Sequence, residues 1–158
     1  SNDAEAEVLK RTDDIAFHIY TKAFQLIYAA RASDQGPPSD KIDKWFNLET
    51  SAVTESSSLA TFRLISSLPS PLTIQVLLAV PSSKTLIHIP TSTHIFSGYR
   101  LVLLEQWLLD YGRWSPGQVQ SDGVLPEPST IHKTAISLFR SLFSLLRILP
   151  AWRTTQEI

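Results

Sequence analysis

The chain has 158 residues, 15 of them acidic and 14 lysine or arginine, and a formal net charge of −1. That length holds one domain with a real core rather than two, and that charge supplies no bulk field for nucleic acid or an anionic membrane. The absence of cysteine excludes a disulfide framework and a thiolate metal site, and it fits a reducing compartment.

No apolar run reaches transmembrane length, and the N-terminus is acidic and polar, unlike a signal peptide. Methionine is missing even at position 1, so the chain reads as processed or excised from something longer. Residues 5 to about 32 carry helical periodicity: Val8, Ile15, Ile19, Ala23, Leu26, Ile27 and Ala30 line one face, widened by Phe17, Tyr20, Phe24 and Tyr28. The run Asp34-Gln35-Gly36-Pro37-Pro38 stops it. In residues 41–49, Phe46 and Leu48 alternate with Asn47 and Glu49, which predicts a short strand. The serine-rich residues 51–59 suit a loop or a short amphipathic turn.

The middle of the chain favours strands. Residues 62–66 are short and apolar, and Leu72 to Val80 has high β-propensity after Pro71. A turn over residues 81–84 leads to residues 85–89 as a hairpin partner, which Pro90 ends. Residues 99–111 scan equally as a helix and as a long edge strand. Residues 112–128 form a polar loop.

The densest apolar stretch is PSTIHKTAISLFRSLFSLLRILP, from Pro128 to Pro150. The prolines bound a helix, and Ser129 stands where its N-cap belongs. Lys133, Ser137, Arg140, Ser144 and Arg147 recur at spacings of four and three on one narrow stripe, and nearly all the remaining girth is apolar. At about 1.5–3 kcal/mol per buried large side chain, such a helix is expected at the centre, covered everywhere except on that stripe. The order of helix, strands and helix then predicts an α+β fold.

Catalytic chemistry is thinly represented. His18, His88, His94 and His132 are scattered without ligand spacing, and they read as exposed or hydrogen-bonded residues. Asp13 and Asp14 diverge on a helix and form a solvated face rather than a poised carboxylate pair. No serine lies in a nucleophile elbow, and the glycines are too isolated for a phosphate loop. Trp45 and Trp107 lie in patterned stretches and read as core. Trp114 and Trp152 adjoin arginines, which suits either ordinary packing or a membrane interface.

Four blocks carry a resemblance: Lys44-Trp45-Phe46-Asn47-Leu48; Pro71-Leu72-Thr73-Ile74-Gln75-Val76; Leu104-Glu105-Gln106-Trp107-Leu108-Leu109; and Leu138-Phe139-Arg140-Ser141-Leu142-Phe143 running into Arg147-Ile148-Leu149-Pro150-Ala151-Trp152-Arg153. In this order they resemble the N-terminal HORMA domain of the autophagy-related protein 13 family. The resemblance implies a single HORMA domain over residues 1–158, a mostly antiparallel sheet packed against a central C-terminal helix at 129–149 and a long N-terminal helix, with residues 101–111 as a strand. It implies no catalytic, cofactor or metal site. The implied role is a regulatory and scaffold subunit of the autophagy-initiation kinase complex, in the cytoplasm at the preautophagosomal structure. The implied partner is the HORMA protein autophagy-related protein 101, met through Lys133, Ser137, Arg140, Ser144 and Arg147. The bland alternative makes that stripe only the solvated side of the helix. The family's C-terminal segment, which adds strands and closes on peptides in some relatives, is expected to be missing after Ile158. The family's phosphate-sensing arginine is replaced here by Gln106, which is neutral. The competing function classes are a peripheral membrane-binding module and a small hydrolase.

Overall fold

The computed structural model describes residues 2–32, 41–53, 71–81, 94–96, 98–110 and 127–151. The elements in chain order are α1 (Asn2–Arg31), β1 (Ile42–Asp43), a 3-10 turn (Trp45–Asn47), β2 (Thr50–Ser51), β3 (Leu72–Pro81), β4 (His94–Phe96), β5 (Tyr99–Leu109) and α2 (Pro128–Ile148). They fall into two compact units: a helical one, Ser1–Pro71 with Asp110–Ile158, and a sheet unit, Leu72–Leu109. Two helices with small antiparallel sheets make the architecture α+β, as the sequence pattern predicts. The expected elements at residues 62–66 and 85–89, the loop at 112–126, and Trp114 and Trp152 lie outside the described residues.

In the helical unit, α1 buries Ala16, Tyr20, Ala23 and Ile27 on one face, joined by Leu26. Their spacings of four, three and four put them in one row, and α1 packs against α2. Among the described residues Lys22, Gln25 and Arg31 are polar and buried beside them. Arg31 lies in the last turn of α1, where a cation complements the helix dipole.

The segment after α1 departs from the strand expected over residues 41–49. Only Ile42–Asp43 and Thr50–Ser51 are extended, paired antiparallel as Ile42 with Ser51 and Asp43 with Thr50. Between them Phe46 and Asn47 both take left-handed backbone, with φ of 60° and 54°. Two such residues in succession cannot continue a pleated strand. The reason is tertiary: this turn drops Phe46 to 2 % exposure, its ring 5.1 Å from that of Phe139 in α2. Burial of a large aromatic outweighs local alternation.

Helix α2 begins at Pro128, a favourable first helical residue, with Glu127 rather than Ser129 at the N-cap. The Ser129 hydroxyl instead donates to the Glu127 carboxylate at 3.3 Å. The helix ends before Leu149, whose extended backbone suits the residue preceding Pro150. The expectation that α2 is wrapped on nearly every side is not met. Its buried residues are Ala135, Phe139 and Leu146, whereas Leu138, Phe143, Leu145 and Ile148 are exposed.

In the sheet unit the strand order is β3-β5-β4, all antiparallel. Residues 99–109 are a strand, which settles the helix-or-strand ambiguity. Along β3, Leu72, Ile74, Val76, Leu78 and Val80 turn to the less accessible face, while Thr73, Gln75, Leu77, Ala79 and Pro81 are exposed. Opposite them Leu77 pairs with Leu103 but Val76 pairs with Glu105, so Leu104 is an extra residue in β5. A one-residue bulge shifts the side-chain parity of that strand. Accordingly Leu103 is exposed on one side of it, and Gln106 and Leu108 on the other.

Candidate partner-binding face and aromatic pocket

The five stripe residues Lys133, Ser137, Arg140, Ser144 and Arg147 are all exposed on α2. Lys133, Arg140 and Arg147 follow one another at intervals of seven, so they stand in a row along the helix. Between Pro128 and Ile148 there is no aspartate or glutamate. Among the described residues no carboxylate pairs with any of the three cations. Arg147 lays its guanidinium 4.0 Å above the Phe143 ring, which orders it without neutralising it.

The hydroxyls beside this row are satisfied within the helix. Ser144 Oγ donates to the Arg140 carbonyl at 3.1 Å, Ser141 Oγ to the Ser137 carbonyl at 3.1 Å, and Thr134 Oγ1 to the Thr130 carbonyl at 2.9 Å. What they present outward is therefore small and close to apolar. On the far side of these residues stand Leu138, Leu145 and Ile148, the last 78 % exposed. The exposed surface of α2 is thus broader than the expected stripe: a row of cations, a shallow band of small residues and a row of bare aliphatics. Such a surface suits a partner with carboxylates beside an apolar ridge.

A second cluster forms around the turn at Trp45–Asn47. Lys22 comes from α1 with no exposed side-chain surface, and its ammonium donates to the carbonyls of Asp43 (3.2 Å) and Leu48 (2.8 Å) and to Thr50 Oγ1 (2.8 Å). It also lies 3.0 Å from the Asp43 carboxylate, which accepts the Trp45 backbone N–H at 2.8 Å. Thr50 Oγ1 in turn donates to Gln25 Oε1. One lysine therefore ties both ends of the β1–β2 segment to α1. Burial by itself raises the Asp43 pKa, but the Trp45 N–H, the Lys22 ammonium and Gln25 outweigh it and hold the carboxyl below its ordinary 3.8.

With its base so fixed, the turn presents Trp45 and Phe46 in opposite senses. Phe46 enters the core, while Trp45 stays half-buried and stacks on His18 with ring centroids 3.6 Å apart and planes 16° from parallel. His132 of α2 lies 5.0 Å from the Phe46 ring and 6.1 Å from Trp45. His18 Nε2 lies 3.8 Å from Asp14, one turn earlier in α1. These rings, with Ile42, Asp43, Lys44 and Asn47, line an open pocket of about 590 Å³. The left-handed backbone that aims the rings costs on the order of 1–3 kcal/mol per residue, less for Asn47 than for Phe46.

The two histidines read as scattered, and Trp45, read as core, are therefore brought together at one pocket. No local spacing marks them; only the fold of the turn against both helices assembles them. Trp107, also read as core, is half-buried and donates from Nε1 to Glu105 at 3.2 Å. Gln106 is exposed and accepts from Gln75 Nε2 at 3.2 Å, a neutral cross-strand pair. Among the described residues no group of three or more histidine, aspartate or glutamate side chains is placed to hold a metal, and no helix is long and apolar enough to cross a membrane.

Residues 17–158 match the family model described as autophagy-related protein 13. Curated relatives of that name include one from Penicillium rubens, 27 % identical over 96 % of this chain, and one from Sclerotinia sclerotiorum, 29 % identical over 96 %. A third, from Yarrowia lipolytica, is 27 % identical over 94 %. The matched regions make up 18 %, 19 % and 24 % of those relatives, so the chain spans about a fifth of their length. No solved structure matches.

Proposed function

The chain belongs to the autophagy-related protein 13 family, and from that premise we propose that it is a non-catalytic HORMA-type scaffold of the autophagy-initiation kinase complex. It pairs with a second HORMA protein of the autophagy-related protein 101 type, and the pair recruits downstream factors at the preautophagosomal structure in the cytoplasm. The observation that carries this reading is the row Lys133, Arg140 and Arg147, with which no described carboxylate pairs, on a helix without acids, beside exposed Leu138, Leu145 and Ile148. A helix meant only for solvent has no use for that aliphatic row. Ser137 and Ser144 lie between the two rows and let a partner approach closely.

Reversing one central charge tests the reading. Arg140→Glu is expected to leave the unfolding midpoint unchanged and to weaken capture of the HORMA partner by about tenfold or more. Unchanged capture by a folded variant removes the stripe as the interface. The juxtaposition of cations and bare leucines also suits the headgroup layer of an anionic bilayer. Co-sedimentation with phosphatidylserine vesicles, lost in Arg140→Glu, would favour that second reading.

A further inference from the structure

We propose that the pocket between the β1–β2 turn and the two helices docks a short peptide that presents an aromatic side chain next to a carboxylate. The pocket lies within the helical unit, apart from the exposed face of α2, and its volume of about 590 Å³ falls in the range that takes small ligands. Its apolar surface is mostly ring: the half-buried indole of Trp45 and the His18 and His132 imidazoles, backed by the buried Phe46 ring, with exposed Ile42 at the rim. Aromatic rings meet such a surface edge-to-face or offset, which favours a planar side chain over an aliphatic one.

The polar groups fix the sign of the neighbour. Among the described lining residues Asp43 is the one carboxylate, and it is already engaged by Lys22 and by the Trp45 N–H. The remaining ionisable side chains among the described lining residues are Lys44, His18 and His132, and Asn47 adds an exposed amide. His18 has Asp14 at 3.8 Å, and Lys44 has Glu49 at 3.3 Å. The Lys44–Glu49 pair is open to solvent on both sides, at 72 % and 68 % exposure, so an incoming carboxylate displaces it at little cost. The left-handed residues Phe46 and Asn47 hold the indole at the pocket rather than in the core, and backbone in that state is found where a ligand site must be kept in shape.

The test uses the whole chain and four probes, followed through the NMR signals of the Trp45 indole and the His18 and His132 imidazoles. N-acetyl-Asp-Phe-Glu-amide is expected to shift these signals saturably in the millimolar range. The neutral isostere N-acetyl-Asn-Phe-Gln-amide should bind about fivefold more weakly, and N-acetyl-Asp-Ala-Glu-amide about tenfold or more weakly. Succinate should not saturate the site. Lys44→Gln, at an exposed position that leaves the circular dichroism spectrum unchanged, should erase the preference for the acidic over the neutral peptide. The proposal is overturned if Asp-Phe-Glu produces no saturable shift at Trp45, or if the neutral peptide binds equally well. Saturation by succinate alone would assign a small-acid site instead.

Discussion

The two helices invert what their compositions suggest. Helix α1 mixes charged and apolar residues throughout, yet it buries Lys22, Gln25 and Arg31, the lysine with no exposed surface. Helix α2 is apolar around most of its girth, yet it buries only Ala135, Phe139 and Leu146 and leaves Leu138, Leu145 and Ile148 in the open. Burial follows from what packs against a position, and hydropathy only sets what that burial is worth. A buried lysine persists because every hydrogen it carries has an acceptor, and no described buried side-chain nitrogen or oxygen lacks a partner. Exposed leucines persist on a helix face where another surface is to cover them.

The sharpest way to break this contrast is to remove the lysine. Lys22→Ala takes the cation from the Asp43 carboxylate and a donor from two carbonyls, and breaking a buried pair of this kind costs about 3–5 kcal/mol. Urea unfolding should show that loss. Double substitution with Asp43→Asn should cost less than the sum of the two single variants, because the two residues share one interaction. Additive costs would mean that Lys22 acts through packing alone.

The next comparison sits within α2, between adjacent residues. Phe139→Ala removes a ring with 1 % exposure packed on Phe46 and should cost about 3–5 kcal/mol. Leu138→Ala removes a side chain that is 55 % exposed and should cost under about 1 kcal/mol. If the uncovered row serves a partner, Leu138→Ala should weaken partner capture while stability holds. Equal destabilisation by the two variants would mean that the leucine row is covered within the isolated chain.

The residues explain why some of this was legible in the sequence and some was not. Both helices and the strand at Leu72–Pro81 have local causes, a 3.6 period or high β-propensity, bounded by Pro71, Pro128 or Pro150. The exposure of the five stripe residues follows from the same periodicity. Residues 99–111 scan equally as helix and strand, and only pairing with the strands on either side selects the strand at Tyr99–Leu109. The turn at Trp45–Asn47 has no local cause. Alternation favoured a strand there, and only Phe139, some ninety positions later, supplies the pocket that pulls Phe46 inward. The aromatic pocket was hidden for the same reason, since His18, Trp45 and His132 meet only once that turn has formed. Complete wrapping of α2 was inferred from hydropathy alone, and hydropathy carries no information about which neighbours are present.

Asp43 gives the Lys22 cluster a pH signature. Its carboxyl titrates lower in the folded chain than the ordinary 3.8 of the unfolded one, so at low pH the unfolded chain binds the proton more readily. The resulting stabilisation is fully present above the unfolded value and is lost as pH falls through the folded one. A melting-temperature profile should therefore drop from about pH 4 downward. Asp43→Asn should start lower at neutral pH and fall less steeply in acid. An equally steep acid limb in the variant would assign the drop to other carboxylates.

The smallest effect concerns the backbone beneath the pocket. Asn47 is exposed with φ of 54°, a conformation that asparagine tolerates, that glycine adopts freely and that β-branched residues resist. Asn47→Gly should change stability by no more than about 0.5 kcal/mol, since relief of local strain is offset by the greater freedom of the unfolded chain. Asn47→Val should cost about 1–2 kcal/mol without removing any buried contact. Because that cost arises in the turn itself, the Val variant should also loosen the stack of Trp45 on His18, visible as increased solvent quenching of Trp45 fluorescence. Should Asn47→Val be as stable as the parent, the left-handed turn does not hold Trp45 at the pocket, and the indole's position must come from its contacts with His18 and His132 alone.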